Sequence, residues 1–246
     1  MASDNLDLGE KALSKVLEVG IANQLDQVET IDVEIRTDPG KLLQGKVDSV
    51  AISGKGLVMK QDLRMETIEV TTDQVAINPL SAVFGNIELS RPTDASAKIV
   101  LTEADINRAF NSDHIQGKLQ NLKMNMAGQA IPVNINQVVI NLPGDNKFVI
   151  NADFLLVQTN ELKKLSATAV PQIEADGHRI GLEVLSAEGE GLTVDLVVAI
   201  FEQLTALLDL RNFDIPGISL QLHRLEAQVG KLVIHAKSQI TQIPSS

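Results

Sequence analysis

Between Leu192 and Leu210 the chain is apolar around almost its whole circumference if wound as a helix, and this segment restricts the fold more than any other. At about 100° per residue, Asp195, Glu202 and Asp209 fall on one line, flanked by Gln203 and Thr205, with Thr193 opposite. Val194, Leu196, Val197, Val198, Ile200, Phe201, Leu204, Leu207 and Leu208 cover far more than the ~100° stripe that a surface helix needs. Such a helix has to be wrapped, and the rest of the chain must supply a large apolar surface to wrap it.

That surface reads as antiparallel strand. Ile31, Val33 and Ile35 alternate with Asp32, Glu34 and Arg36 until Asp38-Pro39-Gly40 stops the run. A meander over 30–101 follows, through Val50 and Ile52, Leu57 to Met59, Leu63 and Met65, Ile68 and Val70, Val75 and Ile77, Ile87 and Leu89, and Ile99 with Leu101. The parity slips between Met65 and Ile68, where a bulge is expected to bend the sheet. A second series over 115–187 starts from Leu119 and Leu122 and includes Val133, Ile135, Val138 to Ile140 and Phe148 to Phe154, with turns at Pro143-Gly144-Asp145-Asn146 and Asp176-Gly177. A closing hairpin spans 217–240. Two more helices are expected. One runs over 6–25 with Asp4 as N-cap, and a short one runs over 102–111, where Thr102 and Asp105 have capping-box spacing. The fold class is therefore α+β: a strongly curved antiparallel β-sheet wrapped around long hydrophobic helices, in a single elongated domain over 1–246.

Charge and composition exclude several functions. A net charge of -11, with no Trp, no Tyr and six Phe, argues against nucleic acid, which draws on clustered cations and stacking aromatics. The small basic group Lys55, Lys60 and Arg64 reads as a solvated strand edge or a local headgroup contact. With no cysteine there is no disulfide and no thiolate chemistry. Gly40 to Lys46 has phosphate-loop spacing, but Val47 replaces the hydroxyl residue and a strand follows where a helix would be needed. Gly189-Glu190-Gly191 lacks the third glycine of a dinucleotide loop. His114, His178, His223 and His235 are dispersed, so neither a metal nor any other cofactor is expected. Successive acids of the Asp195, Glu202, Asp209 line lie about 10.5 Å apart at 1.5 Å per residue, too far for a catalytic pair, and read as a solvated stripe.

Three stretches carry a resemblance: Lys41 to Leu57, Leu101 to Phe110, and Phe213 to Leu220 followed by Leu225 to Ile234. Through them the chain resembles the LmeA-like phospholipid-binding family of bacteria, whose fold is similar to the tubular lipid-binding proteins, from about Leu6 to Ile240. The resemblance implies a helix held by a curved sheet, a groove for acyl chains, and a part in lipid carriage or membrane upkeep. The opening Met1-Ala2-Ser3-Asp4-Asn5 lacks the basic and apolar regions of an export signal, which leads to the expectation of a cytoplasmic address, peripheral at a membrane. The expected function is non-catalytic binding of phospholipid or glycolipid with transient membrane-surface contact; the alternative is a ligand-free interaction domain with a packed core. The helical wheels nominate Leu13, Leu17, Ile106, Phe110, Leu196, Ile200, Phe201, Leu204 and Leu207 as lipid-lining residues. The sequence leaves the oligomeric state open.

Overall fold

The computed structural model describes residues 2–42, 44–59, 62–78, 88–126, 129–209, 211 and 217–242. Its helices are α1 (Ala2–Ala22), α2 (Pro39–Leu42), α3 (Glu103–Phe110), α4 (Asp113–Lys118) and α5 (Val194–Leu207). Its strands are β1 (Thr30–Arg36), β2 (Lys46–Val47), β3 (Ser49–Met59), β4 (Leu63–Thr72), β5 (Val75–Ala76), β6 (Thr93–Thr102), β7 (Leu122–Met126), β8 (Gln129–Gly144), β9 (Lys147–Leu156), β10 (Glu161–Ile173), β11 (Ile180–Glu188), β12 (Ile218–Gln228) and β13 (Lys231–Ile240). The strands are antiparallel throughout and include a sheet curled into a half-barrel.

A six-stranded sheet runs in the order β1-β3-β4-β6-β13-β12, a five-stranded one in the order β11-β10-β9-β8-β7, and β2 with β5 makes a short ribbon. The closing hairpin thus returns to extend the first sheet beside β6. The second strand series builds a sheet of its own. Parity slips in the sequence mark irregularities in the ladders. Between Val133-Ile135 and Val138-Ile140 the register of β8 against β9 shifts, so all four side chains stay buried on one face. The bulge expected between Met65 and Ile68 does not form: Gly56, at φ 60°, and Glu66 both drop out of the ladder while the register continues unchanged on either side. A Cβ added at Gly54 would lie 2.7 Å from Leu57 and 3.2 Å from Ile68, which places those two side chains on one side.

The larger core lies between the apolar face of the five-stranded sheet and helices α3, α4 and α5, with Ala227 and Leu232 of the other sheet joining it. The hydrophobic helix α5 touches both edge strands of that sheet, β7 and β11, so it lies across it. Leu196, Ala199, Ile200, Phe201 and Leu204 face inward, whereas Val194 is 78% exposed and Val198 51%. Of the long wrapped helices expected from the sequence, the structure shows one apolar helix of 14 residues that is buried on a single side. A smaller core sits at the other end, where Leu13, Leu17 and Ile21 of α1 pack over Val33, Ile35, Val47, Val50, Val75 and Ile77.

Helix boundaries differ from expectation: α1 ends at Ala22 and α5 spans Val194–Leu207, each short of the expected range at its C-terminal end. α1 already runs from Ala2, so Asp4 lies inside the helix and is not its cap. Leu119 is the C-cap of α4, a helix with Ser112 as its N-cap, and not the start of a strand. The capping box of α3 forms as its spacing requires: the Thr102 hydroxyl accepts from the Asp105 amide, and the Asp105 carboxylate accepts from the Thr102 amide. Ile87, Leu210 and the start of the Phe213 to Leu220 stretch lie outside the described residues.

Candidate functional site

Cross-strand register divides the six-stranded sheet into one polar and one apolar face. Three adjoining rows lie on the apolar side: Ile68, Ile99, Ile234 and Leu225; then Ile52, Val70, Ala97, Ala236 and Leu222; then Val50, Thr72, Ala95, Ser238 and Leu220. Positions between them face the other way and include Glu69, Lys98, Ser96, Lys237 and Gln221. Among the described residues, the two cores take in only the ends of the apolar face. Ile52 packs on the smaller core, and Ile234 with Leu225 on the larger. Ala95, Ala97, Ala236 and Leu222 are buried yet belong to neither core, while Ile68, Val70, Ile99, Leu220, Ile218 and Ile240 are half-exposed. Small side chains at Ala95, Ala97 and Ala236, bordered by larger ones, make a shallow floor some four strands wide, about 14 Å at ~4.8 Å per strand step.

The residues nominated from the helical wheels do not converge on this floor. Leu13 and Leu17 belong to the smaller core, whereas Ile106, Phe110, Leu196, Ile200, Phe201, Leu204 and Leu207 belong to or pack on the larger one. They divide between two separate clusters, because a wheel reports which side of a helix is buried and not what it is buried against. The signal for the floor was the alternation of Ala95, Ala97, Ile99 and Leu101 in β6 and its match in Leu232, Ile234 and Ala236 of β13; it required knowing that these strands are neighbours.

Two hollows flank these elements. One, of about 210 Å³, is lined by Lys118, Leu119, Leu122, Gln203, Ala206 and Leu207, and falls below the ~300–1,000 Å³ usual for ligand pockets. The other, of about 670 Å³, is bordered by Asp73, Asp94, Ser96, His178, Lys237 and Gln239, reaches Ala95 and Ser238 at the end of the floor, and has a largely polar wall unsuited to acyl chains. At the edge of the apolar face the Arg64 guanidinium donates to Asp105 at 2.8 Å, Glu66 at 2.9 Å and Glu29 at 3.1 Å. Arg64 is therefore an internal tie and not part of a basic surface patch; Lys60 lies outside the described residues. Burial pushes the Asp105 carboxyl up, but hydrogen bonds from Thr102 and Arg64 overcome this and hold it below its ordinary value. Of the acidic line on α5, Asp195 and Glu202 are exposed, whereas Asp209 is clasped by Arg211, at 2.5 Å, and lies 3.9 Å from Arg179. Its pKa falls to about 2, chiefly through the Arg211 hydrogen bond. Among the described residues no cluster of three or more His, Asp or Glu could hold a metal ion, and no helix is long and apolar enough to cross a membrane.

The model of the LmeA-like phospholipid-binding family matches residues 5–237. The chain belongs to that family. Membership and the apolar floor meet in the same stretch of chain, since β3, β4, β6, β12 and most of β13 lie inside the matched region. The chain is also similar to a solved structure described as the crystal structure of lipopolysaccharide binding protein, at 10% identity and a TM-score of 0.24, over 97% of this chain and 96% of that one. That likeness is too distant to carry an argument. No curated protein sequence matches the chain.

Proposed function

We propose that this family member is a non-catalytic lipid carrier that lays the acyl chains of a phospholipid or glycolipid on the apolar face of its six-stranded sheet, across Val70, Ala97, Ala236 and Leu222. One observation carries the reading: in a chain of a phospholipid-binding family, the apolar face is wider than the two cores that close its ends. Moving an acyl chain there from water gains about 0.8 kcal/mol per buried CH₂, but from a bilayer the exchange is nearly neutral. Uptake therefore requires contact with a membrane surface. In this reading helix α1, which exposes Val16 and Val19 on its outer side and packs against the edge strand β1, moves at that contact.

A ligand-free domain is the rival reading, and the low exposure of Ala97 (9%) and Ala236 (5%) favours it. The two readings part at Ala236→Phe. On an acyl-binding floor the phenyl ring occupies the space of the lipid, so bound lipid is lost with little change in melting temperature. In a closed interior the ring overpacks and costs about 1–3 kcal/mol. Lipid extraction from the gently purified protein, followed by mass spectrometry, should find stoichiometric lipid in the parent and little in the variant. A parent that is free of lipid and takes none from phospholipid vesicles would contradict the carrier reading.

A further inference from the structure

The apolar face carries three hydroxyl residues, and only one is accounted for. Thr72 accepts a hydrogen bond from the Val50 amide at 2.9 Å. Thr93 is 3% exposed and its Oγ1 meets no hydrogen-bond partner among the described residues, and the buried Oγ of Ser238 meets none either. Register puts them close together: Thr93 is opposite Ile240 and Ser238 opposite Ala95, so they are diagonal neighbours on β6 and β13, with Cα atoms roughly 7–8 Å apart. A buried hydroxyl without a partner costs stability, and an adjacent pair of them at one end of an apolar floor calls for a ligand that supplies acceptors. The three rows carry no cation, and in the hollow that Ser238 and Ala95 border, Asp73 and Asp94 outweigh Lys237, so no net positive charge there would balance a phosphate or a carboxylate. The chemistry that fits is a neutral acceptor carried between apolar chains.

We propose that Thr93 and Ser238 donate to the ester carbonyls of a diacyl lipid, fixing its direction so that the glycerol backbone sits at their end of the floor and the acyl chains run past Ala97 and Ala236 toward the larger core. This rests on the carrier reading and adds the linkage class that the site selects. Lipid-free protein is equilibrated with vesicles of dioleoyl phosphatidylcholine or of its diether analogue, which lacks both carbonyls, and bound lipid is counted by native mass spectrometry. The parent should prefer the ester lipid by about 3–10-fold, the worth of one net hydrogen bond. Thr93→Val with Ser238→Ala should erase that preference, leave diether binding unchanged, and melt at the same or a higher temperature when lipid-free, because the unpartnered hydroxyls are gone. Equal binding of the two lipids by the parent, or a preference that survives in the double variant, overturns the assignment while leaving the carrier reading intact. Binding of neither lipid removes both.

Discussion

Asp105 has two tasks in one carboxylate. It closes the capping box of α3 with Thr102 and anchors Arg64 of β4, so it ties a helix of the larger core to the middle of the six-stranded sheet. Asp105→Ala should cost about 3 kcal/mol in chemical denaturation, the low end for breaking a buried pair because Arg64 keeps some hydration. Adding Arg64→Met should cost less than the sum of the single changes, since the second removes a cation already stranded. Acid should act through the same class of group. Asp105 and Asp209 both have folded pKa values below their unfolded ones, so each contributes stability that is fully present above the usual carboxylate value and is lost as pH falls through the folded value. With Asp209 at about 2, the melting temperature should drop between roughly pH 4 and pH 2. Asp209→Asn should flatten that drop; an unchanged profile would show that the Arg211 clasp contributes nothing to folding.

Among the elements, α5 separates what a sequence shows from what it hides. Ile200 is fully buried against the five-stranded sheet, and truncation to Ala should cost about 2–4 kcal/mol by leaving a cavity. Val198→Ser, on the outer side, should stay within about 0.5 kcal/mol. Nothing in the composition of the helix separates Val198 from Ile200; both read as core, and only the side that the helix turns to the five-stranded sheet leaves one of them outside. Local features were legible: the alternation of β1, the capped start of α3, and the turns at Gly144 and Gly177. The joint between the sheets was not. There the β12–β13 turn meets the β8–β9 turn: the Gly230 amide donates to the Leu142 carbonyl at 2.9 Å, the Asn146 side chain accepts from the Ala227 amide at 2.9 Å, and Glu103 accepts from the Leu142 amide at 2.7 Å. These partners lie far apart in the chain, and no periodicity records that a last hairpin returns to β6.

For the molecule as a whole, that return is what assembles the apolar floor. β6 alone presents Ala95, Ala97 and Ile99 as an ordinary half-buried strand; the arrival of β13 and β12 places Ala236, Ser238, Leu222 and Leu220 beside them and extends the apolar area beyond what α1 at one end and α3 at the other cover. Candidate lipid residues read from helices fell instead into the two cores that bracket this floor. Leu204, 2% exposed, is a packing residue there, and a charge at that position should unfold the protein whether or not lipid binds. The most direct test of the central claim is photo-crosslinking with a phosphatidylcholine that carries a diazirine on one acyl chain, followed by peptide mapping. Adducts are expected in β6, β12 and β13, at or beside Ala97, Leu222 and Ala236, competed away by unlabelled lipid. Adducts confined to α5 and the five-stranded sheet, or to no defined segment, would contradict it.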